Sequence, residues 1–253
     1  MLVTSSSDNP RPRAITWQIA TVQKITVETY RTKTFTLSLP HWQPFLPGQH
    51  YDVRLTAPDG YQAQRSYSVG SAPEAQGTID LTIEVIPDGE VSPYFHEVVQ
   101  PGDQIEARGP IGGPFTWSRD LGGPLLLLAG GSGIVPLMSM LRHRRNAAAE
   151  LPALLLYSSR SQEDIIYQKD LETSGADLTV IHTLTRSQPP GWPGYSRRVD
   201  RQMLEEVIAQ ISGTPNSYVC GPTPFVEAVA DGLVDLGLPP EKIRTERFGP
   251  SGS

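Results

Sequence analysis

Cysteine is almost missing from this chain: Cys220 is the only one in 253 residues. A single thiol rules out an internal disulfide, a Cys-rich zinc site and an iron–sulfur cluster, which takes four protein ligands. Any iron–sulfur partner is therefore expected to be a separate protein. Long apolar runs are missing too. The longest, Leu125–Ala129, suits a buried strand and falls far short of the roughly 18 residues of a membrane span, so no membrane association is expected. Met1–Pro10 has no basic segment leading into an apolar core. It reads as a polar, disordered lead-in, and a cytoplasmic location is expected rather than secretion. Nor is there an excess of positive charge. Residues 14–118 carry 6 Lys and Arg against 11 Asp and Glu, and residues 119–253 carry 13 against 15, so no nucleic-acid partner is expected. The one basic run, Arg142-His143-Arg144-Arg145, suits a helix end where cations complement the macrodipole.

What is present falls into two halves. Six β-rich runs come first: Trp17–Glu28, Thr32–Leu39, Gln49–Thr56, Gln64–Gly70, Thr78–Ile86 and Asp103–Arg108. Turn signals such as Pro58-Asp59-Gly60 and Pro87-Asp88-Gly89 separate them, with one short helix over Ser92–Val98. This pattern predicts a small antiparallel β-barrel. After Leu121-Gly122-Gly123-Pro124, buried strands alternate with helices: Leu125–Ala129 with Ile134–Arg145, then Ala153–Ser158 with Asp164–Glu172. Leu178–Leu184 with Arg201–Ile211 and Ser217–Cys220 with Thr223–Leu236 complete the set. Such alternation predicts a doubly wound parallel α/β sheet. The expected domains are 14–120 and 121–253, with no internal repeat.

Four short segments carry the chemistry. In Arg65-Ser66-Tyr67-Ser68, alternate residues of a strand share a face, so Arg65 and Tyr67 point the same way, about 7 Å apart. A guanidinium there can meet a phosphate while the ring lies against a flat heterocycle. The same residues alone describe equally well a barrel strand with a surface arginine and a core tyrosine. Gly89-Glu90-Val91-Ser92 opens the short helix, with Ser92 as the expected N-cap and Pro93 in the first turn. Its free N–H groups suit a pyrophosphate, though a well-capped helix explains the residues too. Gly131-Ser132-Gly133-Ile134-Val135-Pro136 follows a buried strand and opens a helix, as a dinucleotide loop does. It reads G-x-G-x-x-P where the Rossmann pattern has G-x-G-x-x-G. Cys220-Gly221-Pro222 ends the fourth strand of the second half, where a lone buried cysteine is by itself a small hydrophobe. Ser159 and Arg160, at the end of the second strand of this half, lie where a ribose phosphate meets such a sheet. Arg160 read alone is also a solvated loop charge. Arg197 and Arg198 are weaker candidates for the same phosphate.

In this order the segments resemble those of the ferredoxin–NADP reductase superfamily of flavoprotein reductases, from about Trp17 to Phe248. The resemblance implies that Arg65 and Ser66 belong to a flavin-binding strand, with Tyr67 packed on the isoalloxazine and Ser68 near flavin N5. It places Gly89, Val91 and Ser92 at the pyrophosphate, and Gly131, Gly133 and Pro136 at the nicotinamide dinucleotide. Ser159 and Arg160 would take a 2′-phosphate and Tyr167 would cover the adenine. Cys220, Gly221, Pro222 and Glu246 would sit at the reaction centre, with Phe248 on the flavin's exposed face. Two departures stand out: the extra residue in Gly112-Gly113-Pro114-Phe115, and the continuation Gly249–Ser253 beyond the aromatic residue that ends plant-type relatives.

The implied function is a monomeric, FAD-dependent oxidoreductase. It would take a hydride from NADPH, with NADH possible, and pass single electrons to a separate ferredoxin, oxygenase component or similar protein. No metal is expected. Two other readings are a free-flavin reductase and a non-catalytic redox-sensing subunit on the same fold.

Overall fold

The computed structural model describes residues 15–173 and 178–249. The polar lead-in expected at Met1–Pro10 lies outside them, as do the outer limits of both expected domains and the tail 250–253.

The first half forms strands β1 (Trp17–Thr29), β2 (Thr32–Ser38), β3 (His50–Thr56), β4 (Gln62–Ser68), β5 (Thr78–Glu84) and β6 (Gln104–Ile111), plus helix α1 (Ser92–Glu97). The six strands are antiparallel in the order β4-β3-β6-β1-β2-β5. A bridge from Val69 to Leu81, with the Gly70 N–H donating to the Asp80 carbonyl at 2.8 Å, joins the two outer strands into a barrel. Inward-facing Phe35, Leu37, Tyr51, Val53, Ile79, Leu81 and Ile83 are buried completely. Helix α1 plugs one end, its Phe95 ring meeting Phe35 edge-on at 5.0 Å.

The second half contributes β7 (Leu125–Gly130), α2 (Ile134–Ala147), β8 (Ala153–Ser159), α3 (Gln168–Glu172), β9 (Leu178–Leu184), α4 (Arg201–Ile208), β10 (Asn216–Pro222), α5 (Thr223–Asp235) and β11 (Ile243–Phe248). The parallel sheet runs β11-β10-β7-β8-β9. Strand β7 is apolar throughout because both of its faces are covered. Leu127 and Ala129 pack under α2, while Leu126 and Leu128 pack under α4 and α5.

Three features differ from the sequence reading. Strand β11 was not expected, because Ile243-Arg-Thr-Glu-Arg-Phe248 is short, polar at four positions and sits at the sheet edge, paired only to β10. The helix expected over Asp164–Glu172 starts at Gln168, since Tyr167 takes a left-handed backbone (φ 60°) that turns its ring into the interior. The basic run at the end of α2 divides. Arg144 donates to the Ala149 and Leu151 carbonyls of the loop that follows the helix, while Arg142 and His143 face the barrel.

That turn toward the barrel fastens the two domains. Arg142 donates to the Gly70 carbonyl at 2.7 Å and pairs with Asp170 at 2.5 Å, and its guanidinium lies 4.8 Å from the Tyr167 ring centre. The Tyr167 hydroxyl bonds to Thr82 in the barrel. Ser139 donates to the Ser71 carbonyl at 2.7 Å, and His143 meets Glu74 at 2.6 Å.

Candidate functional site

Strand β4 carries the flavin-side residues. Arg65 is about half exposed and pairs with Glu90 at 3.4 Å, and the Tyr61 hydroxyl donates to the same carboxylate at 2.6 Å. An exposed pair of this kind contributes roughly 0–1 kcal/mol, so Arg65 can exchange this carboxylate for another anion at little cost. Glu90 lies inside the Gly89–Ser92 segment, yet its tie to Arg65 was not anticipated: the motif fixes the backbone there, not the charge. Tyr67 shares Arg65's face, is largely buried against Phe95 with ring centres 6.2 Å apart, and has its hydroxyl pushed up to about 12 by burial. Ser66 points the other way. Its hydroxyl donates to Asp52 directly across the ladder at 2.6 Å, within a network continued by Arg108, and is committed there. Ser68, the last residue of β4, is buried.

At the second segment the N-cap is Val91, not Ser92, and no side chain caps the helix. Ser92 is the first helical residue, and its hydroxyl accepts the Ile86 N–H at 3.0 Å, tying down the turn that precedes α1. Val91 itself is buried in the barrel core, so only its backbone is available to a ligand.

The glycines between β7 and α2 do different work. Gly131 has a left-handed backbone (φ 54°) and nothing within 4 Å of where a side chain would start, which leaves a bare approach to the turn. Gly133 lies against β10: a Cβ there would stand 2.1 Å from the Cys220 carbonyl oxygen. Gly221 is tight on its other side: a Cβ there would stand 3.0 Å from the Phe225 ring and 3.1 Å from the Gly130 backbone. Pro136 is buried in the first turn of α2 and offers no surface, whereas Pro222 is exposed at the start of α5.

Cys220 and Glu246 are register partners on β10 and β11, and Pro222 and Phe248 are partners two residues further on. The sheet's carboxyl edge therefore gathers Cys220, Gly221, Glu246 and Phe248 at one place. Burial and the neighbouring Glu246 hold the Cys220 thiol well above its usual range, so it is a neutral, compact wall at this pH. Burial also raises Glu246 from 4.5 to about 7, and its Oε2 is buried with no hydrogen-bond partner.

Glu246 gives a pH prediction. Its folded pKa lies above the unfolded one, so the stability contributed by the neutral carboxyl is complete below about pH 4.5. It is lost progressively as the pH rises to about 7. Glu246→Gln should flatten this part of the profile in melting temperatures taken from pH 4 to about pH 8. Parallel profiles for wild type and variant would rule out a raised Glu246.

The 2′-phosphate candidates separate. Arg160 is exposed at the end of β8 and makes no ion pair among the described residues. Ser159 is buried, and its hydroxyl has no hydrogen-bond partner among the described residues. Arg186, also exposed, was not anticipated. Its N–H donates to the Arg160 carbonyl at 2.9 Å, which puts the two arginines on adjoining strand ends. Only the pairing of β8 with β9 reveals that neighbour. Arg197 is held by Asp200 at 2.6 Å and lies over Tyr195, while Arg198 is exposed. Tyr167 requires a correction: with 3% exposure, its hydroxyl on Thr82 and Arg142 across its ring, it has no face left for an adenine.

The chain matches the models of two families. Residues 19–116 match an oxidoreductase FAD-binding domain, and residues 127–231 an oxidoreductase NAD-binding domain. Ferredoxin–NADP reductase B of Sorangium cellulosum is 33% identical over 213 residues, which cover 81% of this chain and 85% of that one. The glycine betaine monooxygenase reductase subunit of Pseudomonas aeruginosa is also 33% identical, over 90% of this chain, but the chain spans only 63% of that relative's length. Among solved structures, the ferredoxin reductase in carbazole 1,9a-dioxygenase superposes with a TM-score of 0.81 at 22% identity, covering 94% of this chain and 71% of that one. A ferredoxin NADP+ reductase from Neisseria gonorrhoeae with bound FAD and NADP gives 0.77 at 24% identity, covering 91% and 98%. At these identities the structural likeness concerns the fold alone. No helix among the described residues is long and apolar enough to cross a membrane.

Proposed function

Because the chain belongs to the ferredoxin–NADP reductase family of FAD- and NAD-binding oxidoreductases, we propose that it is a cytoplasmic, monomeric flavoprotein that oxidises NADPH and reduces a separate redox protein. The observation that carries this reading is the convergence of Cys220, Glu246 and Phe248 at one edge of the sheet, beside a bare glycine turn. Several of the relatives matched are named ferredoxin–NADP reductase or reductase component of an oxygenase system, which supports an acceptor of that class, and another is named an NADH-cytochrome b5 reductase.

When bound, the two dinucleotides supply the redox chemistry, hydride transfer between them and single electrons onward. The chain's own residues bind and align. Arg65 would exchange Glu90 for a flavin phosphate, Tyr67 would pack against the ring system, and the backbone of Gly89–Ser92 would hold the pyrophosphate. Gly131 would admit the nicotinamide dinucleotide, Arg160 with Arg186 would take its 2′-phosphate, and Cys220, neutral and fully buried, would back the wall against which the nicotinamide would rest. Glu246, with an unpartnered oxygen and a pKa of about 7, can hold or release a proton beside the reacting rings.

Anaerobic mixing of the purified protein with NADPH tests the reading. Flavin absorbance should bleach, and the colour should survive gel filtration. Bound flavin that NADPH does not bleach would point to a sensing subunit, and flavin lost on the column to a free-flavin reductase. The chromophore released by heat should be FAD, whose pyrophosphate the Gly89–Ser92 backbone would hold; FMN alone would overturn that assignment. Arg65→Ala should weaken flavin retention by about tenfold, the lower end for a charged hydrogen bond because the guanidinium is half exposed. Fluorescence titration of the apoprotein with FAD reads this directly, and an unchanged affinity would leave Arg65 an ordinary surface charge.

A further inference from the structure

The turn Pro58-Asp59-Gly60 between β3 and β4 sets the position of Tyr61. Asp59 accepts the Tyr61 N–H at 3.0 Å, Gly60 takes a left-handed backbone (φ 89°), and the Ala57 N–H donates to the Tyr61 carbonyl at 2.8 Å. The hairpin ladder therefore runs on past Gln62 to Tyr61, and strand alternation puts Tyr61, Ala63, Arg65 and Tyr67 on one face. Tyr61 and Arg65 stand about 13 Å apart along the strand, with only the small side chain of Ala63 between them on that face. Their polar ends nevertheless meet on one group. The Tyr61 hydroxyl donates to Oε1 of Glu90 at 2.6 Å, and Nη2 of Arg65 pairs with Oε2 at 3.4 Å. Nη1 of Arg65 donates to the Gln64 carbonyl at 2.6 Å, which fixes the direction of the guanidinium.

Two donors from one strand face thus converge on the two oxygens of a single anion. Tyr61, Arg65 and Glu90 are all exposed, so the cluster contributes little to holding the fold. A phosphoryl group offers a similar pair of oxygens and carries more charge than a carboxylate, so it suits the same two donors. Glu90 acts on such a ligand in two opposing ways. It keeps the donors in line, which lowers the cost of binding, and it opposes a second anion with its own charge.

We infer that Tyr61 is a second donor to the flavin phosphate that Arg65 takes, and that Glu90 competes with this phosphate for both donors. The inference rests on the flavin assignment above and adds to it a hydroxyl and an intramolecular competitor. The charge is the larger of the two effects of Glu90, because glutamine at this position would keep an oxygen for the Tyr61 hydroxyl and lose only the repulsion.

The test is dilution of the FAD-loaded full chain, with released flavin read by its fluorescence. Tyr61→Phe keeps the ring and removes only the hydroxyl, and it should weaken FAD binding about fivefold. Tyr61→Ala should weaken it no further. Glu90→Gln should tighten FAD binding about fivefold, the effect of removing one like charge at contact distance in water. A gain in affinity does not come from a damaged fold, so this variant decides even if the tyrosine variants are unstable. Wild-type affinity in Tyr61→Phe, a loss seen only in Tyr61→Ala, or a Glu90→Gln variant that binds FAD no more tightly would each overturn the inference. Arg65→Ala separates it from the assignment beneath. If Arg65→Ala weakens FAD and Tyr61→Phe does not, the inference alone fails; if neither does, the phosphate lies elsewhere and both fail.

Discussion

Gly133→Ala should destabilise the sheet domain by about 3 kcal/mol, the upper end of the cost of overpacking. The new methyl would stand 2.1 Å from the Cys220 carbonyl oxygen, 2.4 Å from its carbon and 2.8 Å from the Gly221 nitrogen. All three are backbone atoms of β10, an interior strand of the sheet, so no rotamer change can relieve the clash. Either the turn lifts away from β10 or β10 shifts beneath it, and both break the close contact between Gly133 and Cys220. The melting temperature should fall by roughly 6–12 °C for a chain of this size, and nicotinamide affinity should fall with it. Gly131→Ala is the control. It meets nothing within 4 Å, and its φ of 54° predicts only the roughly 1–2 kcal/mol cost of a left-handed alanine. Similar melting curves for the two variants would show that the contact with β10 does not constrain the turn.

Arg160→Ala should lower kcat/KM for NADPH by about 10- to 150-fold while leaving NADH nearly unchanged. The loss corresponds to one charge-assisted contact of roughly 1.5–3 kcal/mol. The effect should fall on KM, because a 2′-phosphate far from the reacting atoms contributes the same binding to ground and transition states. Arg186, bonded to the Arg160 carbonyl on the next strand end, should retain part of the interaction, which places the single variant toward the lower half of that range. Steady-state kinetics with an artificial electron acceptor separate the outcomes. A wild type that prefers NADH, or a variant that weakens both coenzymes alike, would remove Arg160 from the site.

The architecture was legible because each half repeats one period. Alternating strands with Pro-Gly and Asp-Gly turns give the barrel, and the all-apolar Leu125–Ala129 announces a sheet covered on both faces. Strand β11 was not legible, because an edge strand is half-buried and its sequence shows neither a run nor a clean alternation. Within the site, backbone roles read more clearly than side-chain roles. Gly131 and Gly133 were both assigned to phosphate, but only the packing against β10 distinguishes the open one from the wedged one. Ser66 looked like part of the flavin strand, and its hydroxyl is spent on Asp52 across a ladder the sequence does not display. Tyr167 misled for the same reason, since its spacing from Arg160 suits an adenine cover and its left-handed backbone sends the ring inward.

The Tyr167–Thr82 and Arg142–Gly70 contacts use residues with no part in redox chemistry, and they lie well apart in sequence from the covalent link between the halves near residues 118–123. A joint bolted at two separate points has little play. The alignment of two rings that must meet at contact distance is then a tolerance set by the frame, not by the grip of either ligand. The outer loops of the barrel are released from that duty, so such a frame can be fitted to a new electron acceptor by changing its rim while its internal alignment stays as it was.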